Sequence, residues 1–181
     1  DVSSVSDMSM MFANCSKYEG LFSLDLWNVS STTDMTSMFE EASKFNGDLS
    51  LWDTSRVTSM TGVFRFATFF NQDLSKWYLS SVTSTEGMFE EAKIFRGNVS
   101  EWNVSSIVNM KRMFFNAQRF NGDISSWNVS RVTTMDQMFT SAQSFTSNLS
   151  NWNVSGVSDM WRLFQGATAF EGDVRTWDVS K

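Results

Sequence analysis

Seven asparagines stand in the Asn-x-Ser pattern that marks acceptors for N-linked glycans in secreted proteins. They are Asn14, Asn28, Asn98, Asn103, Asn128, Asn148 and Asn153. Several belong to one copied motif, Asn-Val-Ser, so duplication alone is an alternative explanation for their number. Positions equivalent to Asn28 also hold Asp53 and Tyr78, however, which indicates that the fold does not itself require asparagine there. We therefore predict that the seven asparagines are glycosylation sites.

A second set of Asp and Asn residues also recurs along the chain. Its members are Asp48, Asp73, Asn98, Asp123, Asn148 and Asp173. Side-chain oxygens of this kind suit calcium when they cluster. We interpret the set as residues that end a turn, and we predict no metal site.

Groups that carry out catalysis are scarce in this sequence. The chain has no histidine, no glycine-rich phosphate loop and no metal-ligand spacing. Its single cysteine, Cys15, takes a slot that holds Ala42 in the next copy of the repeat, and we interpret it as a small buried residue. We expect no catalytic residue, no cofactor and no enzymatic activity. Residues that break the repeat pattern are candidate binding anchors: Tyr78, Arg112, Arg119, Trp161, Arg162 and Arg175.

Composition and charge narrow the possible partners. The chain is 41% hydrophobic and 19% charged, which favours a folded protein over a disordered one. Its net charge is −6 with both signs interspersed, so a basic face for nucleic acid is not expected. No apolar run reaches the roughly 20 residues that a membrane helix needs, and we predict no membrane insertion. Because the sequence opens at Asp1 without a signal-like segment, we expect a mature chain or an excerpt.

The elements that position these groups follow a period of 25 residues. The period is read from three columns of identical residues: Trp27, Trp52, Trp77, Trp102, Trp127, Trp152 and Trp177; Phe39, Phe64, Phe89, Phe114, Phe139 and Phe164; and Ala42, Ala67, Ala92, Ala117, Ala142 and Ala167. Self-similarity of this kind predicts stacked repeats. We therefore expect residues 1–181 to form a single solenoid array of about seven repeats, or an excerpt of a longer array.

Each repeat contains two hydrophobic patterns. The segment Leu-Ser-x-Trp-Asn-Val-Ser alternates apolar and polar residues, which predicts a short strand. Met60, Val63, Phe64 and Ala67 follow at i, i+3, i+4 and i+7, which predicts a short helix. The expected fold class is an α/β repeat solenoid with one parallel strand and one helix per turn. Two extra residues before Trp27, within Leu21 to Leu26, predict a local bulge in the first turn.

A family resemblance rests on these same columns. The run Met135-x-x-Met138-Phe139-x-x-Ala142-x-x-Phe145, followed by Leu149-Ser150-x-Trp152-x-Val154-Ser155, resembles the BspA-type leucine-rich repeats of microbial surface proteins. The similarity covers nearly the whole chain. It implies a leucine-rich-repeat-like scaffold and a place at the cell surface, where some members of the family are adhesive.

The favoured function is a non-enzymatic extracellular structural module. It would assemble head to tail into a glycosylated filament or surface layer, with further copies of itself as partners. The alternative is an adhesin that binds an extracellular protein or glycan through its strand face. A third possibility, binding to a crystal such as ice, rests on the column of Thr33, Thr58, Thr83 and Thr133, which Val108 and Ser158 interrupt.

Overall fold

The computed structural model describes residues 1–21 and 24–180. Within these residues the chain is almost entirely turns and irregular backbone, and the regular helix is one 3₁₀ turn, Leu24–Leu26. That turn occupies the end of the predicted bulge, of which residues 22 and 23 lie outside the described part. Successive repeats are joined by isolated parallel bridges, running Asp7, Asp34, Ser59, Ser84, Asn109, Thr134 and Asp159. The repeats therefore stack, but the predicted α/β solenoid with a strand and a helix in each turn is wrong.

The predicted strand is a pair of tight turns. Trp52 donates its backbone N–H to the carbonyl of Leu49 at 3.2 Å, and Val57 donates to Thr54 at 3.0 Å. Both bonds span three residues, as in β-turns. The alternation of apolar and polar residues was read correctly as inside and outside, since Trp52 and Thr54 are buried and Asp53 is exposed. Turns reproduce that alternation without strand pairing.

The predicted helix is also a succession of turns. Met38 donates its N–H to the carbonyl of Met35 at 3.1 Å, whereas Ser37 donates to Thr61 of the next repeat at 2.8 Å. Phe39 likewise donates to the next repeat. An α-helix would instead bond each N–H to the residue four before it. Donors therefore alternate between their own turn and the neighbouring repeat, which holds the stack together.

Left-handed backbone makes these turns possible. Ser37 and Glu41 have φ of 55° and 58°, and they are the third residues of turns closed at Met38 and Ala42. A third residue with positive φ is the feature of type II turns. The same two columns have positive φ along the stack, at Met10 and Asn14, Gly62 and Phe66, Gly87 and Glu91, Arg112 and Asn116, Gln137 and Ser141, and Arg162 and Gly166.

Aromatic rings form continuous columns inside the stack. The ring of Phe64 lies 5.7 Å from that of Phe39 and 5.5 Å from that of Phe89, and the stacked series continues to Phe164. A second series starts at Tyr18 and continues to Phe170. Residues of the predicted helical face, such as Met60 and Ala67, are fully buried between repeats. The hydrophobic core is thus shared by neighbouring repeats, as stacking requires.

Tryptophan adds a polar link to this apolar core. The indole nitrogen of Trp77 donates to the carbonyl of Leu49 at 3.1 Å, and that of Trp102 donates to Leu74 at 2.9 Å. Equivalent bonds join Trp52, Trp127, Trp152 and Trp177 to the preceding repeat. A buried indole N–H needs an acceptor, and here every acceptor lies in the adjacent repeat.

Candidate functional site

All seven predicted glycosylation asparagines are exposed. Six of them, all except Asn14, accept a hydrogen bond at Oδ1 from the backbone N–H of the serine two residues later, at 3.0 to 3.2 Å. At Asn128 the hydroxyl of Ser130 also donates to Oδ1, at 2.7 Å. Asn14 instead has left-handed backbone, with φ of 62°. Each of these six Asn-x-Ser units is therefore also an Asx turn that fixes the local backbone.

Aspartate performs the same structural task. Ser55 donates its N–H to Asp53 at 3.0 Å, and Ser50 donates to Asp48 at 2.8 Å. Hydrogen bonds from Ser50 hold the pKa of Asp48 below its ordinary value. In the column considered for calcium, from Asp48 to Asp173, an oxygen of each side chain already accepts a hydrogen bond within its own turn. Throughout the described ranges, no group of three or more His, Cys, Asp or Glu side chains is arranged to hold a metal ion.

The side chains that depart from the repeat pattern do not form one cluster. Arg112 pairs with Glu90 at 3.5 Å, and Arg162 packs over the ring of Trp161 at 4.0 Å. Arg175 pairs with Asp173, two residues earlier in its own turn. Cys15, predicted to be buried, is partly exposed. These residues are spread over several repeats, so the structure does not bring them together into one site.

Two of the predicted anchors lie in grooves. Arg119 lines a smaller groove with Arg96 and Asn121. Tyr78 lines a groove that crosses neighbouring repeats. The groove has a volume of about 610 Å³, and its outer lining comprises Leu51, Asp53, Lys76, Tyr78, Glu101 and Asn103. Tyr78 is 61% exposed and Leu51 is 63% exposed, so two large side chains with apolar surface line the same groove. Tyr78 occupies the column that otherwise holds asparagine or aspartate, and it is flanked by Asp53 and Asn103 of that column.

A hydroxyl buried in the core fixes the backbone of Tyr78. Thr54 Oγ1 accepts the N–H of Tyr78 at 2.8 Å and donates to the carbonyl of Tyr78 at 3.0 Å. Thr54 is fully buried and is the polar member of a column that holds valine or leucine elsewhere, including Val29 and Leu79. Two departures from the repeat pattern thus bond to each other. Sequence reasoning found Tyr78 but missed Thr54, although the break in the valine column was a visible signal.

Four successive repeats are also linked by a ladder of ion pairs. Arg65 lies 3.2 Å from Glu40 and 3.3 Å from Glu90, and Glu90 also contacts Arg112. Burial raises the pKa of the Glu90 carboxyl, and the two arginines partly oppose that effect. Sequence analysis missed this ladder, which links four repeats through side chains that differ from one repeat to the next.

No helix within residues 1–21 and 24–180 has the length and hydrophobicity to cross a membrane.

Comparisons with known proteins identify a family. A search of the curated proteins found no match, and a search of the solved structures found none either. A family model described as "Mycoplasma protein of unknown function, DUF285" matches twice, over residues 1–102 and 87–181. Together these two matches span the chain, and the chain therefore belongs to the DUF285 family of repeat proteins.

Proposed function

We propose that this chain is a non-enzymatic extracellular binding module of the adhesin type. The observation that carries the proposal is the groove at Tyr78, where two large apolar side chains are exposed beside polar groups. Repeats bonded to one another through backbone and indole N–H groups form a scaffold that holds such a surface in place. Binding then uses a broad, shallow contact on the side of the stack.

A place outside the cell is part of this proposal. The resemblance to BspA-type surface proteins supports it, as does the exposure of all seven Asn-x-Ser asparagines. The chain purified from its native source should carry glycan mass at some of these asparagines, measured by peptide mass spectrometry after enzymatic release in heavy-oxygen water. Asn128→Asp is the matched control, because aspartate preserves the Asx turn and removes the acceptor nitrogen. Unmodified peptides at all seven positions would count against glycosylation.

Binding through the groove can be tested on arrays of immobilised extracellular-matrix proteins and glycans. Wild-type chain and Tyr78→Asn are compared, since asparagine is the residue that this column holds at Asn103 and should preserve the fold. Both proteins are produced without glycosylation, because the change creates an Asn-Leu-Ser pattern at residues 78–80. Saturable binding that is lost in Tyr78→Asn supports the proposal. Equal binding by both proteins, or no binding by the wild type, contradicts it.

Assembly into a filament is the second candidate. Each row of backbone donors bonds to the next repeat, as Gln137 donates to Trp161 at 2.8 Å. The equivalent donors in the last described repeat belong to Arg162 and Phe164, and Phe164 is only half-buried. A second copy that continues the register would satisfy both donors and cover that ring.

Electron microscopy of the 181-residue chain at increasing concentration tests assembly. Filaments with one repeating axial step support the second candidate, and Phe164→Arg should abolish them because it places a charge in the end-to-end contact. Tyr78→Asn, on the side of the stack, should leave filaments intact. Monomers at all concentrations would exclude end-to-end assembly of this chain.

A further inference from the structure

We propose that the groove at Tyr78 is a saccharide subsite that takes a neutral pyranose ring stacked on the tyrosine. The inference rests on the proposed binding function and names its ligand class. The saccharide assignment adds to the proposed binding function a ligand class, which follows from the chemistry of six side chains in the groove.

The groove has the two kinds of surface that complement a sugar ring. A pyranose has an apolar C–H face, which packs on an aromatic ring, and hydroxyls around its rim, which need donors and acceptors. Tyr78 and Leu51 supply exposed apolar surface, while Asp53 and Asn103 lie on either side of Tyr78 in the same column. The lining therefore has a stacking platform between two polar groups.

Charge in the groove favours a neutral ligand. Lys76 is positively charged, and Asp53 and Glu101 are negatively charged. The three side chains therefore carry a net charge of minus one and present both signs. A phosphate or sulfate would meet two carboxylates, and an apolar ligand would leave charged groups without water. Hydroxyl groups can accept from the lysine and donate to the carboxylates, so a polyol matches all three.

The platform is fixed before any ligand binds. Both backbone groups of Tyr78 bond to Thr54, and Trp77 next to it is buried and bonded to Leu49. Tyrosine has only two side-chain torsions to order, so holding its backbone leaves little entropy to be lost on binding. Thr54 is therefore a positioning residue for the site and does not itself contact the ligand.

The experiment titrates unglycosylated recombinant chain with neutral oligosaccharides by isothermal calorimetry. The probes are maltohexaose, cellohexaose, laminarihexaose and mannohexaose. At least one should bind, and Tyr78→Asn should weaken it roughly tenfold or more, while Tyr78→Phe retains most of the affinity because stacking persists. Asn128→Ala, a change in the same column outside the groove, should leave binding unchanged.

Thr54→Val tests the positioning role separately. Valine is the usual residue of this column, so the fold should keep its stability while affinity for the oligosaccharide falls a few-fold. Loss of stability without a change in affinity would give Thr54 a purely structural role and overturn that step.

The outcomes separate this inference from the proposed function. Groove-dependent binding to an immobilised protein, with no heat from any oligosaccharide, overturns the saccharide subsite and leaves a binding module. Oligosaccharide binding that Tyr78→Asn does not alter places the sugar elsewhere and also overturns the subsite. Absence of binding in both experiments overturns both proposals.

Discussion

Replacing Trp127 by phenylalanine should show how strongly one indole joins two repeats. Trp127 is 3% exposed, its Nε1–H donates to the carbonyl of Val99 at 3.0 Å, and its ring stacks between those of Trp102 and Trp152. Losing a neutral buried hydrogen bond costs about 1 kcal/mol. Val99 also accepts the N–H of Trp102 at 3.2 Å, so its carbonyl keeps one partner and the cost stays near that value.

The smaller phenylalanine ring adds a packing loss. It removes roughly 40 Å² of buried apolar surface, which at about 25 cal/mol per Å² is about 1 kcal/mol. Incomplete collapse of the space left behind adds up to about 1 kcal/mol more. Trp127→Phe should therefore lower the free energy of unfolding by about 2 to 3 kcal/mol.

Urea unfolding followed by far-ultraviolet circular dichroism measures this loss, with an unchanged m-value as the check that the same surface unfolds. Trp177→Phe is the matched control. Trp177 makes the same bond, to Leu149 at 3.0 Å, but is only half-buried and stacks on the single neighbour Trp152. Its replacement should cost about half as much. Equal losses in the free energy of unfolding at the two positions, or a loss under about 0.5 kcal/mol for Trp127→Phe, would refute the reasoning that burial between two repeats strengthens the contribution of the indole.

Three further changes test other parts of the stack. Gly87→Ala should destabilise the protein by about 1 to 2 kcal/mol in urea unfolding, because φ is +59° and a Cβ 2.6 Å from Arg65 Nη2 would displace that guanidinium from its ion pair with Glu90. Gly62→Ala, whose nearest contact is Ser37 Oγ at 3.1 Å, should cost less. Burial raises the pKa of Glu90, so its stabilising contribution is full below the ordinary value of 4.5 and is lost as pH rises through the raised pKa. The stability of the wild type relative to Glu90→Gln should therefore fall from acid to neutral pH, and a flat difference would contradict this. Hydrogen bonds from Ser125 lower the pKa of Asp123. The wild type should therefore be more stable than Asp123→Asn at neutral pH, and this difference should vanish on acidification below about 3.8. Thermal unfolding at several pH values measures the difference.

The inward columns could be predicted from the sequence, but the backbone that carries them could not. Met60, Val63, Phe64 and Ala67 are buried as their spacing suggested. A spacing of three and four residues fits an α-helix, but it fits consecutive turns equally well. The turns depend on positive φ at Ser37 and Glu41, residue types that give no sign of it.

A weak signal for the turns was present in the glycines. Gly62 and Gly87 occupy the column of Ser37, and an amphipathic helix gives no reason for glycine at its centre. Serine, arginine and glutamine at the equivalent positions concealed the requirement. Hydrogen bonds to the next repeat offset the strain at these residues, and a pattern confined to one repeat contains no information about such bonds.

The groove shows the same limit at the level of a site. Tyr78 was identifiable because a tyrosine stands in a column of asparagine and aspartate. Its relation to Thr54 depends on bonds that join residues 24 positions apart, and only the register of the stack makes them adjacent. Both exceptions could be seen in their columns, but only the register of the stack reveals that the Thr54 hydroxyl bonds to the backbone of Tyr78.

The Asn-x-Ser units illustrate why frequency alone does not reveal function. Asp53 and Asp48 make the same turn, each with the serine two residues later, so backbone capping explains that serine whether or not any glycan is present. Only the choice of asparagine over aspartate distinguishes the two roles, because both side chains provide the accepting oxygen but only asparagine provides the amide nitrogen. Capping uses the oxygen and glycosylation the nitrogen, so a single side chain can serve both without losing the turn.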